Sequence, residues 1–239
     1  MLLGVNIDHI ATLRNARGGV EPNLNKAAEI CKKVNVNGIT VHLREDRRHI
    51  KDSDLKTLRQ IPNLRINLEM AATEEMKEIA LAVLPEACCI VPERRQELTT
   101  EGGLDVASKV EYMTEFVKEL KSAGILVSLF IDPDEKQIEA SAKIGSQYIE
   151  LHTGQYANSF GKPNEEYEFQ RLKKATCLAQ KLGLKVNAGH GLNYENVQRM
   201  HEISGLEELN IGHSIVAHAV FVGFEQAVLE MKQLCENKL

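Results

Sequence analysis

The chain has 239 residues, 43% of them hydrophobic, 26% charged and none tryptophan, and its formal charge of −5 (29 basic against 34 acidic residues) disfavours a broad nucleic-acid surface. No apolar run approaches the ~20 residues a membrane-spanning helix needs. The opening MLLGVNIDHIATLRNARGG has no basic leader region and no small-residue cleavage site, so the expected location is the cytoplasm.

Short apolar runs alternate with longer helical patterns along the whole chain. The first strand is LLGVNID (2–8), followed by a helix over 23–34; the second is GITVHL (38–43), followed by a helix opening at 51–61. RINLEM (65–70) precedes a helix over 73–84, for which Thr73 is the expected N-cap; Met76 stands where a capping box would need an acid or amide. ACCIVPE (87–93) leads, after a long connection, to a helix over 110–124 that sets Tyr112, Phe116 and Leu120 on one face and ends at Gly124. LVSLFID (126–132), YIELHTG (148–154), KVNAGHG (185–191) and LEELNIGHS (206–214) are each followed by a helical pattern, the last being SIVAHAVFVGFEQAVLEMKQL (214–234). The strands are rich in Val, Ile and Leu, as strands buried on both faces would be.

Eight strand–helix units in this length predict an α/β fold, a TIM (β/α)8 barrel forming a single domain over residues 1–239. A doubly wound sheet shares the local alternation but more often has five or six units. Two connections exceed the usual length, one from Pro92 to Asp105 and one over 154–165; the first is read as a lid over the C-terminal rim. The five cysteines, Cys31, Cys88, Cys89, Cys177 and Cys235, contain no CxxC pair and read as small buried hydrophobes in a reducing compartment.

Five of the eight histidines fall at strand ends: His9, His42, His152, His190 and His213. Asp8, Glu69, Asp132 and Glu150 take matching places, so a closed barrel would gather them on its catalytic rim. Residues two apart share a strand face, which pairs Asn6 with Asp8, His42 with Arg44, Asn67 with Glu69 and Glu150 with His152. A satisfied hydrogen-bond network inside the barrel is the structural alternative, and for Asn6 and Asn67 it has equal standing.

The glycines of GHGLN (189–193) and IGHS (211–214) lie where this fold often holds a phosphate, and Ser214 could cap the following helix. Arg14 and Arg17 after the first strand, and Arg44, Arg47, Arg48 and His49 after the second, offer a second anionic subsite; Arg47 and Arg48 also suit a solvated surface. No lysine stands at a C-terminal strand end, so amine chemistry would have to come from a substrate. Asp8, His9, His42, Glu69 and His190 are suitable metal ligands by type, yet no HxH or HExxH spacing supports a metal, and none is expected. Helix 214–234 is apolar on more than one face, which suggests a subunit contact.

VNIDHIATLRNARGG, TVHLREDRRHI, INLEMA, VPERRQELTTEGGLD, SLFIDPD, IELHTGQYA, NAGHGLNYENV and LNIGHSIVAHAVF together resemble the pyridoxine 5′-phosphate synthase family, from end to end. The resemblance implies a barrel enzyme that condenses 1-deoxy-D-xylulose 5-phosphate with 3-amino-2-oxopropyl phosphate. It implies release of inorganic phosphate and water, no cofactor or metal, and a homo-octamer built from dimers. By the same resemblance His42 and Glu69 would be proton acceptors, His190 a proton donor and Glu150 a transition-state stabiliser. Asp8, His9, Arg44, His49 and Thr99 would contact the deoxyxylulose phosphate; Asn6, Arg17, Gly191, Gly212 and His213 would hold the aminoketone phosphate. The alternatives are a metal-dependent sugar-phosphate aldolase or epimerase, and a non-catalytic phosphometabolite-binding protein.

Overall fold

Apolar and polar side chains alternate along the strands, and the alternation decides which residues reach the centre. In β2 (Gly38–His42) Ile39 and Val41 alternate with Thr40 and His42; in β3 (Ile66–Met70) Ile66, Leu68 and Met70 alternate with Asn67 and Glu69. The same period holds in β6 (Tyr148–His152), where Ile149 and Leu151 flank Glu150. The apolar set belongs to one continuous core shared with the surrounding helices, from Leu3 and Val5 through Ile39, Leu68, Val127 and Ile149 to Leu209. The opposite set faces the barrel axis. The strands are therefore buried on both faces, as expected, but the inward face is largely polar apart from a small cluster of Cys89, Val91 and Phe130.

The computed structural model describes residues 1–93 and 102–237. With β1 (Leu2–Asn6), β4 (Ala87–Ile90), β5 (Leu126–Ile131), β7 (Lys185–Gly189) and β8 (Leu206–Ile211), the strands form a closed parallel barrel in chain order, β8 pairing with β1. Register sets His42 beside Glu69, Phe130 beside Glu150, and His152 beside Gly189. Barrels of this kind usually fill their interior with branched apolar residues. Here the interior carries a polar chain: Asn67 Nδ2 donates to Thr40 Oγ1 (3.3 Å), Thr40 Oγ1 to Asn210 Oδ1 (2.9 Å), and Asn210 Nδ2 to Glu150 Oε2 (2.7 Å). At the N-terminal end Glu208 accepts from Asn37 and from Arg65.

The outer layer comprises α1 (Asp8–Arg17), α2 (Leu24–Val34), α3 (Asp52–Leu58), α4 (Glu74–Val83), α5 (Val110–Ser122), α6 (Glu135–Ile144), α7 (Gly154–Ser159), α8 (Glu165–Lys181), α9 (His213–Val222) and α10 (Phe224–Glu236). Thr73 caps α4 by accepting from the Met76 N–H, as expected, and Asp134 caps α6 by accepting from Lys136 and Gln137. On α5 the buried face is Met113, Phe116, Val117 and Leu120, whereas Tyr112 lies at its edge, 44% exposed.

Several boundaries differ from expectation. Residues 8–17 form helix α1 where a loop after the first strand is expected, so Asp8 opens a helix rather than ending a strand. The connection over 154–165 begins as α7, and the helix expected over 194–204 is a 3-10 turn, Val197–Glu202. The final helical pattern is two helices broken at Gly223, whose φ of 86° ends α9. Cys177 is exposed; the other four cysteines are buried. No helix among the described residues is long and apolar enough to cross a membrane.

Candidate active site

A cavity of about 460 Å³ opens at the C-terminal ends of the strands. Asn6, Asp8, His9, His42, Arg44, His49, Glu69, Glu150, His190, Gly191, Gly212 and His213 all line it. Arg17 does not. It lies at the last turn of α1, exposed, roughly 13 Å along the helix axis from Asp8 at 1.5 Å per residue. Thr99, and the central part of the expected lid, fall outside the described residues.

The acidic half of the cavity is built on β1, β2, β3 and β6. Asp8 is buried and held from three sides: Asn6 Nδ2 donates to its Oδ2 (3.1 Å), the His42 N–H donates to its Oδ1 (2.9 Å), and its own N–H donates to Asn6 Oδ1 (2.9 Å). Glu69 Oε2 lies 3.8 Å from His42 Nδ1. Burial pushes the Glu69 carboxyl well above the usual carboxylate range, and the charges of Glu150 and Asp8 push it further. Its strand neighbours Leu68 and Met70 point the other way, into the outward core. Burial likewise raises Glu150 to about 7, against the Asn210 hydrogen bond and with help from Glu208. With Glu150 at about 7, the cavity holds a group that exchanges its proton near neutrality.

Glu93, which the strand-end pattern did not single out, completes this half. Its Oε1 lies 2.9 Å from His42 Nε2, and its Oε2 accepts from the Glu45 N–H at 3.0 Å. Burial opposes ionisation there, but the bonds from His42 and Glu45 and the Arg44 charge outweigh it, and the carboxyl sits below its ordinary value. The signal was present in ACCIVPE, an acid just past a strand end, in the position Asp132 takes after β5.

His190, at the end of β7, has a backbone φ of 80°, and Thr153 Oγ1 donates to its carbonyl at 2.6 Å. Burial drives its imidazole down to about 4, aided by the charge of His152. The two rings meet edge to face, 5.0 Å apart, and His152 Nδ1 lies 3.0 Å from Asp132 Oδ1. His152 itself is 4% exposed and does not line the cavity. Gly154 is required here: a Cβ would stand 2.5 Å from His152 Nε2.

The opposite half suits anions. Gly212 precedes the N-terminus of α9, and a Cβ on it would meet Asn6 at 2.8 Å, so only glycine lets β8 pass so close to β1. His9 packs edge-on against both His213 (5.2 Å) and His49 (5.7 Å). Thr12 Oγ1 lies 2.7 Å from His49 Nδ1. Burial lowers His9 and takes His49 to about 4, with neighbouring positive groups adding to both. Ser214 does not cap α9; it lies inside the helix and donates to Leu192 O (2.8 Å), joining the two glycine loops.

Of the arginines, Arg44 is buried, lines the cavity and leaves its Nε without a hydrogen-bond partner, 3.5 Å from Asp46. Arg14 is committed to Asp54 through two bonds of 2.7 and 2.9 Å, and Arg47 to Asp52 and Glu75. Among the described residues no lysine lines the cavity. One donor atom each from Asp8, His42 and Glu69 lie within 4.8 Å of one another, a set a divalent cation could use.

A family model described as "Pyridoxal phosphate biosynthesis protein PdxJ" matches residues 3–237. The chain is 56% identical over 232 residues to a pyridoxine 5′-phosphate synthase from Geobacter sulfurreducens, with 97% of each chain covered. It is also 56% identical over 240 residues to one from a Sulfurihydrogenibium species, covering 99% of this chain and 98% of that one. Among solved structures it is similar to KGPDC from Streptococcus mutans (TM-score 0.66, 13% identity, 99% and 98% covered), a likeness of fold alone. The match to the family model over nearly the whole chain, together with relatives at this identity, means that the chain belongs to the PdxJ family.

Proposed function

We propose that this chain is a pyridoxine 5′-phosphate synthase that condenses 1-deoxy-D-xylulose 5-phosphate with 3-amino-2-oxopropyl phosphate in the rim cavity. The observation that carries the proposal is one cavity shared by a proton-handling half (His42, Glu69, Glu150, His190) and an anion-receiving half (His9, Arg44, His49, Gly212, His213). With no lysine lining the cavity among the described residues, the amine that attacks the sugar carbonyl is the substrate's own.

Glu69 and His42 accept protons from the condensing carbons and nitrogen, each contributing about 10²–10⁴-fold. Glu69 suits this role because burial and the charges of Glu150 and Asp8 raise its carboxyl well above the usual carboxylate range, making it a stronger base once ionised. His190 returns a proton to the departing oxygen. Its imidazole is neutral in the free protein and becomes an acid once a phosphate dianion supplies the opposing charge. Glu150 stabilises the positive charge that develops during dehydration, phosphate leaves the deoxyxylulose part, and an aldol-type closure completes the ring. Asp8, His9, Arg44, His49 and Thr99 hold the sugar phosphate; Asn6, Gly191, Gly212 and His213 hold the aminoketone phosphate.

The enzyme is cytoplasmic and assembles as a homo-octamer built from dimers. Exposed Val220, Phe221 and Val222 at the end of α9 are consistent with a subunit contact. Arg17 belongs to the same set of phosphate contacts but lies outside its own cavity, a placement that suits service to the cavity of a second copy.

Mixing the two phosphates with the protein should yield pyridoxine 5′-phosphate and inorganic phosphate. Binding of both without phosphate release would favour a non-catalytic binding protein. The clustered donors of Asp8, His42 and Glu69 favour one rival enzyme class, a metal-dependent aldolase or epimerase. Turnover that survives exhaustive chelation excludes it.

A further inference from the structure

We propose that Glu93 is a positioning residue that fixes the His42 imidazole with its proton on Nε2, leaving Nδ1 as the proton-accepting atom beside Glu69. The inference rests on the acid–base role proposed for His42. It starts from the stoichiometry of a neutral imidazole, which has one N–H donor and one bare nitrogen. An ionised carboxylate can only accept. Glu93 Oε1 at 2.9 Å from His42 Nε2 therefore requires the proton on Nε2.

The carboxylate is itself held at two points, since its other oxygen accepts from the Glu45 N–H at 3.0 Å. Its side chain is 4% exposed, that of His42 8%. The His42 backbone is tied in turn to Asp8 through the 2.9 Å bond from its N–H. The Nε2 side of the ring and the backbone that carries it are thus both set before substrate arrives. Glu93 does not line the cavity, so it acts through His42 and not on the substrate.

Nδ1 is the atom left over. It lies 3.8 Å from Glu69 Oε2, beyond hydrogen-bonding distance. The two groups that accept protons therefore stand side by side without quenching one another, and a substrate C–H or N–H can be presented to either. Other titratable groups that interact with His42 or its partners are Asp8 from the start of α1, Arg44 from the β2 loop, and His49. Among the described residues Glu93 is the group hydrogen-bonded to Nε2, so the choice of tautomer falls to it. The logic is that of a carboxylate orienting a catalytic histidine, where an amide replacement can keep the shape but permit the wrong tautomer.

Glu93→Gln tests the inference. Its carbonyl can satisfy either His42 Nε2–H or the Glu45 N–H, but not both, and an amide N–H turned towards His42 drives the ring proton to Nδ1. The tautomer is read without turnover, by magic-angle-spinning NMR of the whole assembly labelled with ¹³C,¹⁵N-histidine, using His42→Asn to identify the His42 signals. The expected result is a neutral Nε2–H ring in the unmodified protein. In Glu93→Gln, kcat should fall about 10²-fold or more with both KM values within about twofold, and Glu93→Gln/His42→Asn should lose no more than His42→Asn alone. A proton on Nδ1 in the unmodified protein overturns the inference even if the variant misfolds. So does an unchanged kcat, or a loss confined to KM, in a folded variant. Failure of the unmodified protein to make pyridoxine 5′-phosphate would instead remove the proposed reaction, leaving the tautomer measurement to stand alone.

Discussion

Glu69 and Glu150 are both acids in a crowded interior, yet their surroundings ask different things of them. Glu69 borders His42 and the open cavity, and burial with two acidic neighbours raises it. A base must be ionised to act, so turnover should climb with pH through this raised value. Glu69→Gln should remove that acidic limb and lower kcat about 10²–10⁴-fold; a pH–rate profile with its acidic limb unchanged would move the role to another group. Glu150 instead accepts from Asn210 at 2.7 Å, deep in the polar chain of the interior. Its folded value of about 7 exceeds the ordinary 4.5. The neutral form is therefore favoured by folding: its stabilisation is complete below the unfolded value and is lost as pH rises from about 4.5 to 7. Glu150→Gln should flatten that slope, raising Tm at pH 8 more than at pH 4.5 in thermal scans across the range. At this scale most of the cavity was legible, because polar residues two apart in otherwise apolar strands have no reason to be there in a core. Glu93 escaped because Pro92 interrupts the pattern just before it, and its partner is set by spatial contact with the β2 loop.

Elements were legible wherever their period was clean. The strands and helices α2, α4, α5, α6 and α8 carry well-marked apolar faces or caps. Helix α1 was not, for a physical reason. DHIATLRNAR buries only Asp8, Ile10 and Ala11, and no side chain caps its start, so neither amphipathic period nor cap announces it. That one omission explains the misplacement of Arg14 and Arg17, which a loop would have left near the rim. The break between α9 and α10 has the opposite origin: an apolar pattern runs straight through it, and only Gly223 marks the turn. Its φ of 86° and ψ of 150° belong to a region that side-chain-bearing residues avoid, and no atom lies within 4 Å of where a Cβ would stand. Gly223→Ala should therefore cost about 1–3 kcal/mol from backbone strain alone, measured by urea denaturation. A neutral result would mean that the two helices can straighten into the single one the sequence suggests.

Closure of the whole chain brings these elements together. Neither half of the cavity exists in any single strand–helix unit; the β8–β1 pairing carries Gly212 to Asn6 and so joins the anion-receiving half to the acidic one. The expected subunit contact rests on an excess of apolar residues near the C-terminus, among which Val220, Phe221 and Val222 are exposed at the end of α9, a helix that packs beside α1. That neighbourhood bears on Arg17. If Arg17 serves a second copy across a two-fold contact, each cavity needs Glu69 from one protomer and Arg17 from the other. Arg17→Ala and Glu69→Gln homo-oligomers should then both be impaired. Dissociated and reassembled together, they should regain activity: a mixed dimer pairs an intact Glu69 with an intact Arg17 in one of its two cavities, so random mixing restores about a quarter of the unmodified rate. If Arg17 acts in its own cavity, each cavity in the mixture still lacks one group and nothing is regained. The recovered rate, read against the fraction of mixed dimers from native mass spectrometry, decides between the two, because only a cavity shared between copies can be completed by mixing.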